Sequence, residues 1–360
     1  MTRKSENKKL FIIFECSIFE RVSHIGGIFI LYKNLFNYLK DNKIRFLVIV
    51  YSEEIKNKFT KRIHPNIRVV NKRLFEPFRL FEIDQYIDNI SVRKNKLIYH
   101  STYYRKCLSN NYNIKSVVVV HDFIFENTTS MFKKFIIKYF RNLSIFQSSK
   151  IICISRTTFE LFKKFYPKQL DNATMIYNGI SNDFLNVKFN KKKLKFFLAI
   201  GSVSKYKNTL LILKLAYHFP DYIFIIVIPS IDQFKRKFKI NKFPNNIKFE
   251  THIDTKKLIS FYQKASAFLF LSDFEGYGLP ALEAMSSGCP VVYLKDNKAT
   301  TEIVNYRGFS TTKNIHDIVL TINKAIKAKP RLLVSNMNYA KRFSWQSSFG
   351  QYLSVYNSLK

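Results

Sequence analysis

Acidic side chains are scarce in this chain. Its 360 residues hold 25 Asp and Glu against 60 Lys and Arg, a formal net charge of +35. The excess is split almost evenly between residues 1–190 and 191–360, so no basic tail carries it. A field of this sign draws anionic lipid, anionic saccharide, nucleoside diphosphate or nucleic acid. The chain is also rich in Lys, Asn, Ile and Phe, so part of the charge reflects composition. Cysteine is scarce too. Cys16, Cys107, Cys153 and Cys289 lie far apart and form no Cys-x-x-Cys pair. That excludes a disulfide framework and a thiolate metal site, and fits a reduced, cytoplasmic protein. No Asp-x-Asp motif and no metal-ligand spacing occurs, so no metal and no cofactor is expected. No apolar run reaches the roughly 20 residues of a membrane-spanning helix. The N-terminal run Leu10–Phe14 stops at Glu15 without a small-residue cleavage site, which reads as a first strand and not as a signal peptide.

What the chain does have is alternation. Short β-branched or aromatic runs alternate with stretches of helical spacing, the pattern of an α/β protein with parallel, doubly wound sheets. Strands are expected at Leu10–Phe14, Ile44–Tyr51, Lys96–Tyr99, Ser116–Val120 and Lys150–Ile154. A second series follows at Lys195–Ile200, Tyr222–Ile228, Asn246–Glu250, Ala267–Leu271 and Pro290–Leu294. Helices are expected at Ile28–Leu39, Thr157–Phe165, Thr209–His218, Thr255–Ala265 and Trp345–Lys360. Residues 55–95 give no clear pattern. The basic break Phe189–Lys193 divides the chain into domains 1–188 and 189–344, and the helix at 345–360 is a candidate to pack back on the first. Open α/β sheets bind ligands at the carboxyl ends of their strands. Two such sheets in tandem would face each other across a cleft.

The segment Asp273–Met285 is the most informative. Gly276 and Gly278 allow a tight turn, Pro280 suits a helix start, and a helix follows up to Gly288. A strand, a glycine turn and a helix N-terminus converge backbone N–H groups and a dipole on one spot. Glu275 in the turn and Glu283 eight residues on are both expected to face it. Carboxylates there suit sugar hydroxyls, which donate to them. The turn also contributes Tyr277 and Leu279.

Other candidates sit just after strands. Gly26-Gly27 follows the first and lets backbone approach a phosphate or sugar. His121-Asp122 ends the run Val117–Val120; the imidazole can donate to or accept from a hydroxyl, and Asp122 orients it or caps the next segment. His100 reads as structural. Gly201–Asn208 opens a helix and carries Lys205 and Lys207, an anion-binding arrangement with cations added. Met131–Arg141 is a basic, aromatic helix candidate with Lys134, Lys138 and Arg141 on one side. It reads equally as a membrane-surface patch and as an ordinary helix that packs its apolar side on the sheet.

The segment Glu275–Glu283 resembles the Glu-x7-Glu signature of retaining glycosyltransferases of family 4. The order Gly26-Gly27, His121-Asp122, Lys207, Glu275 and Glu283 through Phe343–Trp345 extends that resemblance along most of the chain. It implies a GT-B fold of two Rossmann-like domains, the second being the donor domain. It implies that His121 and Glu275 act on the donor sugar and that Lys207 holds the diphosphate. Glu283 would hold the ribose, and the stretch with Ile253 would place backbone against the base. Two family features are missing: Ser202 stands where many members carry arginine, and no glycine occurs in Glu250–Asp254. The motifs look like bacterial mannosyl- or rhamnosyl-type transferases of O-antigen or surface polysaccharide assembly. The implied donor is a nucleotide diphosphate sugar, GDP-sugar favoured. The implied acceptor is a saccharide or a lipid-linked glycan at the inner face of the membrane. Two other readings stay open: a non-catalytic binder of nucleic acid or anionic membrane, of which nucleic acid is the less expected, and a nucleotide-sugar hydrolase or epimerase of similar fold.

Overall fold

The structure, a computed structural model, describes residues 10–21, 26–70, 97–105, 114–124 and 131–359. Ser23, His24, Ile25, Cys107 and the stretch 71–96 lie outside them. The chain divides into two compact units. The first comprises residues 1–154, 158–177 and 345–360, the second 155–157 and 178–344.

The first unit is built on a seven-stranded parallel sheet of order β3-β2-β1-β4-β5-β6-β7. Its strands are β1 (Phe11–Glu15), β2 (Arg45–Val50), β3 (Ile67–Val69), β4 (Leu97–Ser101), β5 (Ile114–Val120), β6 (Lys150–Cys153) and β7 (Ala173–Met175). Helices α1 (Gly27–Asp41), α2 (Met131–Gln147) and α3 (Arg156–Phe165) connect them. Parallel strands covered on both faces read as continuous apolar runs. Val117 to Val120 are fully buried in this way. Helix α1 buries Leu31, Leu35 and Leu39 at helical spacing, together with Tyr32 and Phe36. β3 fell within the stretch that had no clear pattern, because a three-residue strand is too short to show alternation.

The C-terminal helix Trp345–Asn357 belongs to this unit, and one buried histidine holds it there. Tyr32 Oη lies 2.9 Å from Nε2 of His100, and Tyr356 Oη 2.9 Å from Nδ1. Neutral imidazole has one donor and one acceptor nitrogen, which these two hydroxyls satisfy together. Tyr38 packs its ring 5.5 Å from that of Phe349 along the same seam.

The second unit repeats the plan with six parallel strands in the order β10-β9-β8-β11-β12-β13. These are β8 (Leu194–Ile200), β9 (Ile223–Val227), β10 (Ile247–Glu250), β11 (Ala265–Phe270), β12 (Val291–Leu294) and β13 (Phe309–Thr311). Its helices are α4 (Thr209–Leu215), α5 (Ile231–Phe238), α6 (Thr255–Lys264), α7 (Leu279–Ser286), α8 (Lys298–Val304), α9 (Ile315–Ile326) and α10 (Pro330–Ala340). In both sheets the chain order reverses beside the first strand, so β1 and β4, like β8 and β11, open a crevice at their carboxyl ends.

The division between units falls after Tyr177, eleven residues before the expected position. The basic stretch Phe189–Lys193 is structural, not a linker. The Phe189 ring lies against Gly288, and Lys193 Nζ donates to Gln263 O at 2.7 Å and Gly288 O at 2.8 Å. One ammonium thus answers the carbonyl ends of α6 and α7, where the helix dipoles favour a cation. Three described cysteines, Cys16, Cys153 and Cys289, are buried thiols. Among the described residues no helix is long and apolar enough to cross a membrane.

Burial lowers the His100 pKa to about 3. Its unfolded value is about 6.5, so the folded state excludes a proton that the unfolded chain takes up between these limits. Stability from this site is complete above about pH 6.5 and is lost as pH falls toward 3. Chemical denaturation between pH 6 and pH 4 should show wild type losing about 1.4 kcal/mol per pH unit more than His100→Gln.

Candidate active site

In the second unit the carboxyl ends of β8 and β11 are neighbours, and the loops that leave them meet. The β8 loop runs from Gly201 to Asn208, the N-cap of α4. A Cβ on Gly201 would come within 3.0–3.1 Å of the side chains of Thr209, Ile226 and Ile228, so any larger residue would make these neighbours give by a few tenths of an ångström. Asn208 adopts φ +52° and donates from Nδ2 to Leu271 O and Asp273 Oδ1, both at 2.8 Å. Asp273 N donates to Tyr206 O at 2.8 Å. These bonds stitch the loops together and bring Lys207 Nζ to 2.6 Å from Glu275 Oε1. The two side chains are only 19% and 13% exposed. The ammonium also stands 5.6 Å from the Tyr206 ring and 5.7 Å from the Phe270 ring, whose faces favour a cation.

The turn that follows is pinned at each residue. Ser155 Oγ donates to Gly276 O at 2.9 Å, and Tyr277, buried, donates from its hydroxyl to Asn178 O. Gly278 caps α7 at φ +112°, a backbone region closed to most side chains. Pro280 is therefore the second helical residue and Leu279 the first. Asn297 Nδ2 donates to Ser272 O at 2.9 Å, and its Oδ1 accepts from Thr300 N at 3.1 Å, so α8 is capped by the side chain that steadies the start of the loop.

Glu283 takes no part in the Lys207–Glu275 pair. It lies one turn into α7, where Tyr262 of α6 faces it. Burial raises its carboxyl pKa to about 7, and the Tyr262 hydroxyl offsets part of that rise. The two glutamates therefore differ in kind: Glu275 is held by a cation, and Glu283 is half-protonated near neutrality.

Other expected positions are less engaged. Lys205 is exposed. Ile253 follows β10, half-buried, beside His252 at φ +52°. His252 thus occupies a left-handed position that a glycine takes without strain. Glu302 is structural: it accepts from Arg156 N at 2.7 Å, Thr157 N at 2.8 Å and Thr157 Oγ1 at 2.7 Å. Asp273 also takes Lys313 Nζ at 2.8 and 2.9 Å. Roles for Asp273, Asn208 and Lys313 were not foreseen. Asp273 and Asn208 stood inside quoted motifs, but nothing local marks Lys313, forty residues away.

In the first unit His121 follows β5 and is buried. Its Nε2 lies 3.1 Å from Thr102 O, an acceptor only, so Nε2 carries the proton and Nδ1 is the acceptor nitrogen. Burial lowers its pKa to about 4, so the ring is neutral at pH 7 and a poor proton acceptor. Asp122 Oδ1 accepts from Ile124 N at 3.1 Å and shapes the following turn. Gly26 caps α1, Gly27 begins it, and a Cβ on Gly26 would meet nothing within 4 Å. Among the described residues no three His, Cys, Asp or Glu side chains come together as a metal-ion site.

Residues 25–184 match the glycosyltransferase family 4 model, and residues 181–343 match that of glycosyl transferases group 1. The chain is a glycosyltransferase of GT-B type. It is 26% identical to an uncharacterized glycosyltransferase of Methanocaldococcus jannaschii, over 93% of this chain and 95% of that one. It is 24% identical to the O-antigen chain mannosyltransferase RfbU of Salmonella typhimurium, over 64% of this chain and 66% of that one. Among solved structures, HepE of Anabaena, in complex with UDP and glucose, superposes with a TM-score of 0.74 at 16% identity, over 97% of this chain and 99% of that one.

The Glu283 carboxyl gives this transferase a pH signature. The unfolded pKa is near 4.3, so the buried ionised form costs stability that is absent below about pH 4.5 and complete above about pH 7. Glu283→Gln should leave stability near pH 4.5 unchanged and raise it by roughly 3.5 kcal/mol at pH 8. Thermal unfolding of both proteins across that range checks it.

Proposed function

We propose that this transferase moves a hexosyl group, mannose or a rhamnose-like sugar, from a GDP-sugar to a saccharide or lipid-linked oligosaccharide, with retention, in cell-surface polysaccharide synthesis. The observation that carries the reading is the contact of Lys207 with Glu275 beside the Gly278 turn. A cation and a carboxylate at 2.6 Å, next to a helix N-terminus, suit a ligand with an anionic part and a hydroxyl-bearing part. A sugar diphosphate is such a ligand. The similarity to an O-antigen chain mannosyltransferase supports the sugar and the acceptor class.

Lys207 and the amides at the start of α7 stabilise the negative charge that develops on the leaving diphosphate. Glu275 then exchanges Lys207 for hydroxyls of the donor sugar. Glu283, in its ionised form, accepts from the ribose. His121 offers Nδ1 to a sugar hydroxyl as a neutral acceptor and does not abstract the proton. The bond from the anomeric carbon to the phosphate oxygen breaks, the bond to the acceptor oxygen forms on the same face, and the acceptor's proton passes to the departing phosphate. No step calls on a metal ion.

The test is a pair of substitutions read by calorimetry with GDP and by transfer assay. Lys207→Ala should weaken GDP binding by about tenfold to a hundredfold. Glu275→Gln removes a negative charge beside the phosphate, so GDP should bind several-fold tighter while transfer falls at least about a hundredfold. Unchanged GDP affinity in Lys207→Ala, or full transfer by Glu275→Gln, would remove that residue from the site. Strong, salt-sensitive binding of nucleic acid with no diphosphate preference would favour the polyanion-binding reading. Sugar released from the donor without acceptor would favour the hydrolase.

A further inference from the structure

The carboxyl edge of the first sheet carries an ion pair of its own. Glu15 ends β1 and is fully buried. Arg105 follows β4, and its Nη1 lies 3.4 Å from Glu15 Oε1. Tyr51, just after β2, donates from its hydroxyl to the same Oε1 at 2.7 Å and accepts from Arg105 Nη1 at 2.6 Å. Ser17 N donates to Oε1 as well, at 2.9 Å. Burial, and then the Glu15 charge, raise the Tyr51 pKa, so the side chain stays a phenol and keeps donating. Three donors thus meet one oxygen of the carboxylate. The other, Oε2, is buried and has no hydrogen-bond partner among the described residues.

That imbalance is costly. A buried carboxylate oxygen without a donor gives up its solvation and gains no bond in return. A carboxylate that serves the fold alone has both oxygens bonded, as Glu302 has. The place matters too. Chain order reverses beside β1, and open α/β sheets bind ligands at the carboxyl ends of the strands there. The second unit has a matching pair with the charges exchanged, since Lys207 follows β8 and Glu275 follows β11. Thr102 ties Glu15 to His121. Its N and Oγ1 donate to Glu15 O at 3.2 and 2.7 Å, and its O accepts from His121 Nε2 at 3.1 Å. β1 and β5 are two strands apart, so Glu15 and His121 stand roughly 10 Å from each other along the edge.

We propose that Glu15 is a saccharide subsite of the first unit, in which Oε2 accepts a hydrogen bond from a hydroxyl of the acceptor sugar. A hydroxyl supplies the donor that the oxygen lacks. Phosphate and other anions do not, because they bring acceptors to an atom that needs a donor. Arg105 balances the charge of Glu15, which a buried carboxylate requires. Admitting the hydroxyl takes a rotamer change of Arg105, which at 15% exposure is the side chain of the pair that meets solvent. That the saccharide is the acceptor rests on the transfer reading, in which the donor sugar meets His121. The saccharide site itself does not rest on it.

The test is ligand-observed NMR with methyl α-D-mannopyranoside, methyl α-D-galactopyranoside and methyl N-acetyl-α-D-glucosaminide, each with and without GDP. At least one glycoside should bind the full chain at millimolar concentration. Glu15→Gln should weaken that binding by about tenfold or more, because a charge-assisted hydrogen bond is lost. Glu15→Asp keeps the charge but draws it back by one methylene, so its binding should fall between the two. GDP affinity, read by calorimetry, should be the same in all three proteins, because Lys207 and Glu275 belong to the second unit. Glycoside binding that neither variant alters, or no glycoside binding at all, would overturn the subsite and leave the donor reading standing. Loss of glycoside and GDP binding together would show that Glu15 serves the fold, and would overturn it too. Glycoside binding that stays sensitive to Glu15 in a protein that takes no GDP would uphold the subsite and overturn the donor reading instead.

Discussion

The arrangement of the candidate site depends on one constraint: the neighbouring carboxyl ends of β8 and β11. Lys207 and Glu275 lie 68 residues apart in sequence, yet the sheet order makes their loops adjacent and hydrogen bonds from Asn208 and Asp273 lock them together. Once the loops are locked, a cation and a carboxylate meet at 2.6 Å with little solvent between them. An isolated surface ion pair contributes little to stability. This one is confined between aromatic rings and helix-terminal amides, so its value lies in what it holds ready. Either charge can be reassigned to a ligand that brings an opposite charge and a set of hydroxyls.

The same logic explains why the two glutamates of one motif have different chemistry. Glu275 is in the turn before the helix, where Lys207 balances its charge. Glu283 is inside the helix, where burial against Tyr262 favours its protonated form. In the first unit, burial keeps His100 and His121 neutral, by way of two different partner sets. Tyr32 and Tyr356 hold His100 as a structural clamp, whereas His121 is fixed by a single backbone carbonyl, and its second nitrogen is left as an acceptor.

Much of this was legible in the sequence because buried parallel strands announce themselves as apolar runs. Ser116–Val120 and Ala267–Leu271 were placed within two residues, and the glycine turn at 276–278 was identified by residue type alone. What stayed hidden depends on long-range packing. The short edge strands β3, β7 and β13 carry too few residues for a pattern. Lys193 looked like part of a linker because its two carbonyl partners lie 70 and 95 residues away. That α2 turns Phe135 and Tyr139 to solvent was hidden for the same reason. A helical spacing of apolar residues shows that a face exists but not which way it points. Only the burial of Arg141 against Phe123 and Tyr166 settles the direction.

The most direct measurement is a thermal-shift comparison of GDP, UDP, dTDP and ADP at millimolar concentration, repeated at high salt. A diphosphate at about 100 times its dissociation constant adds roughly 2.7 kcal/mol of stability. The account predicts a GDP shift clearly larger than the other three that persists as salt rises, because the Gly278 amides and Lys207 act at close range. Equal small shifts for all four that vanish with salt would contradict it and leave only a basic surface.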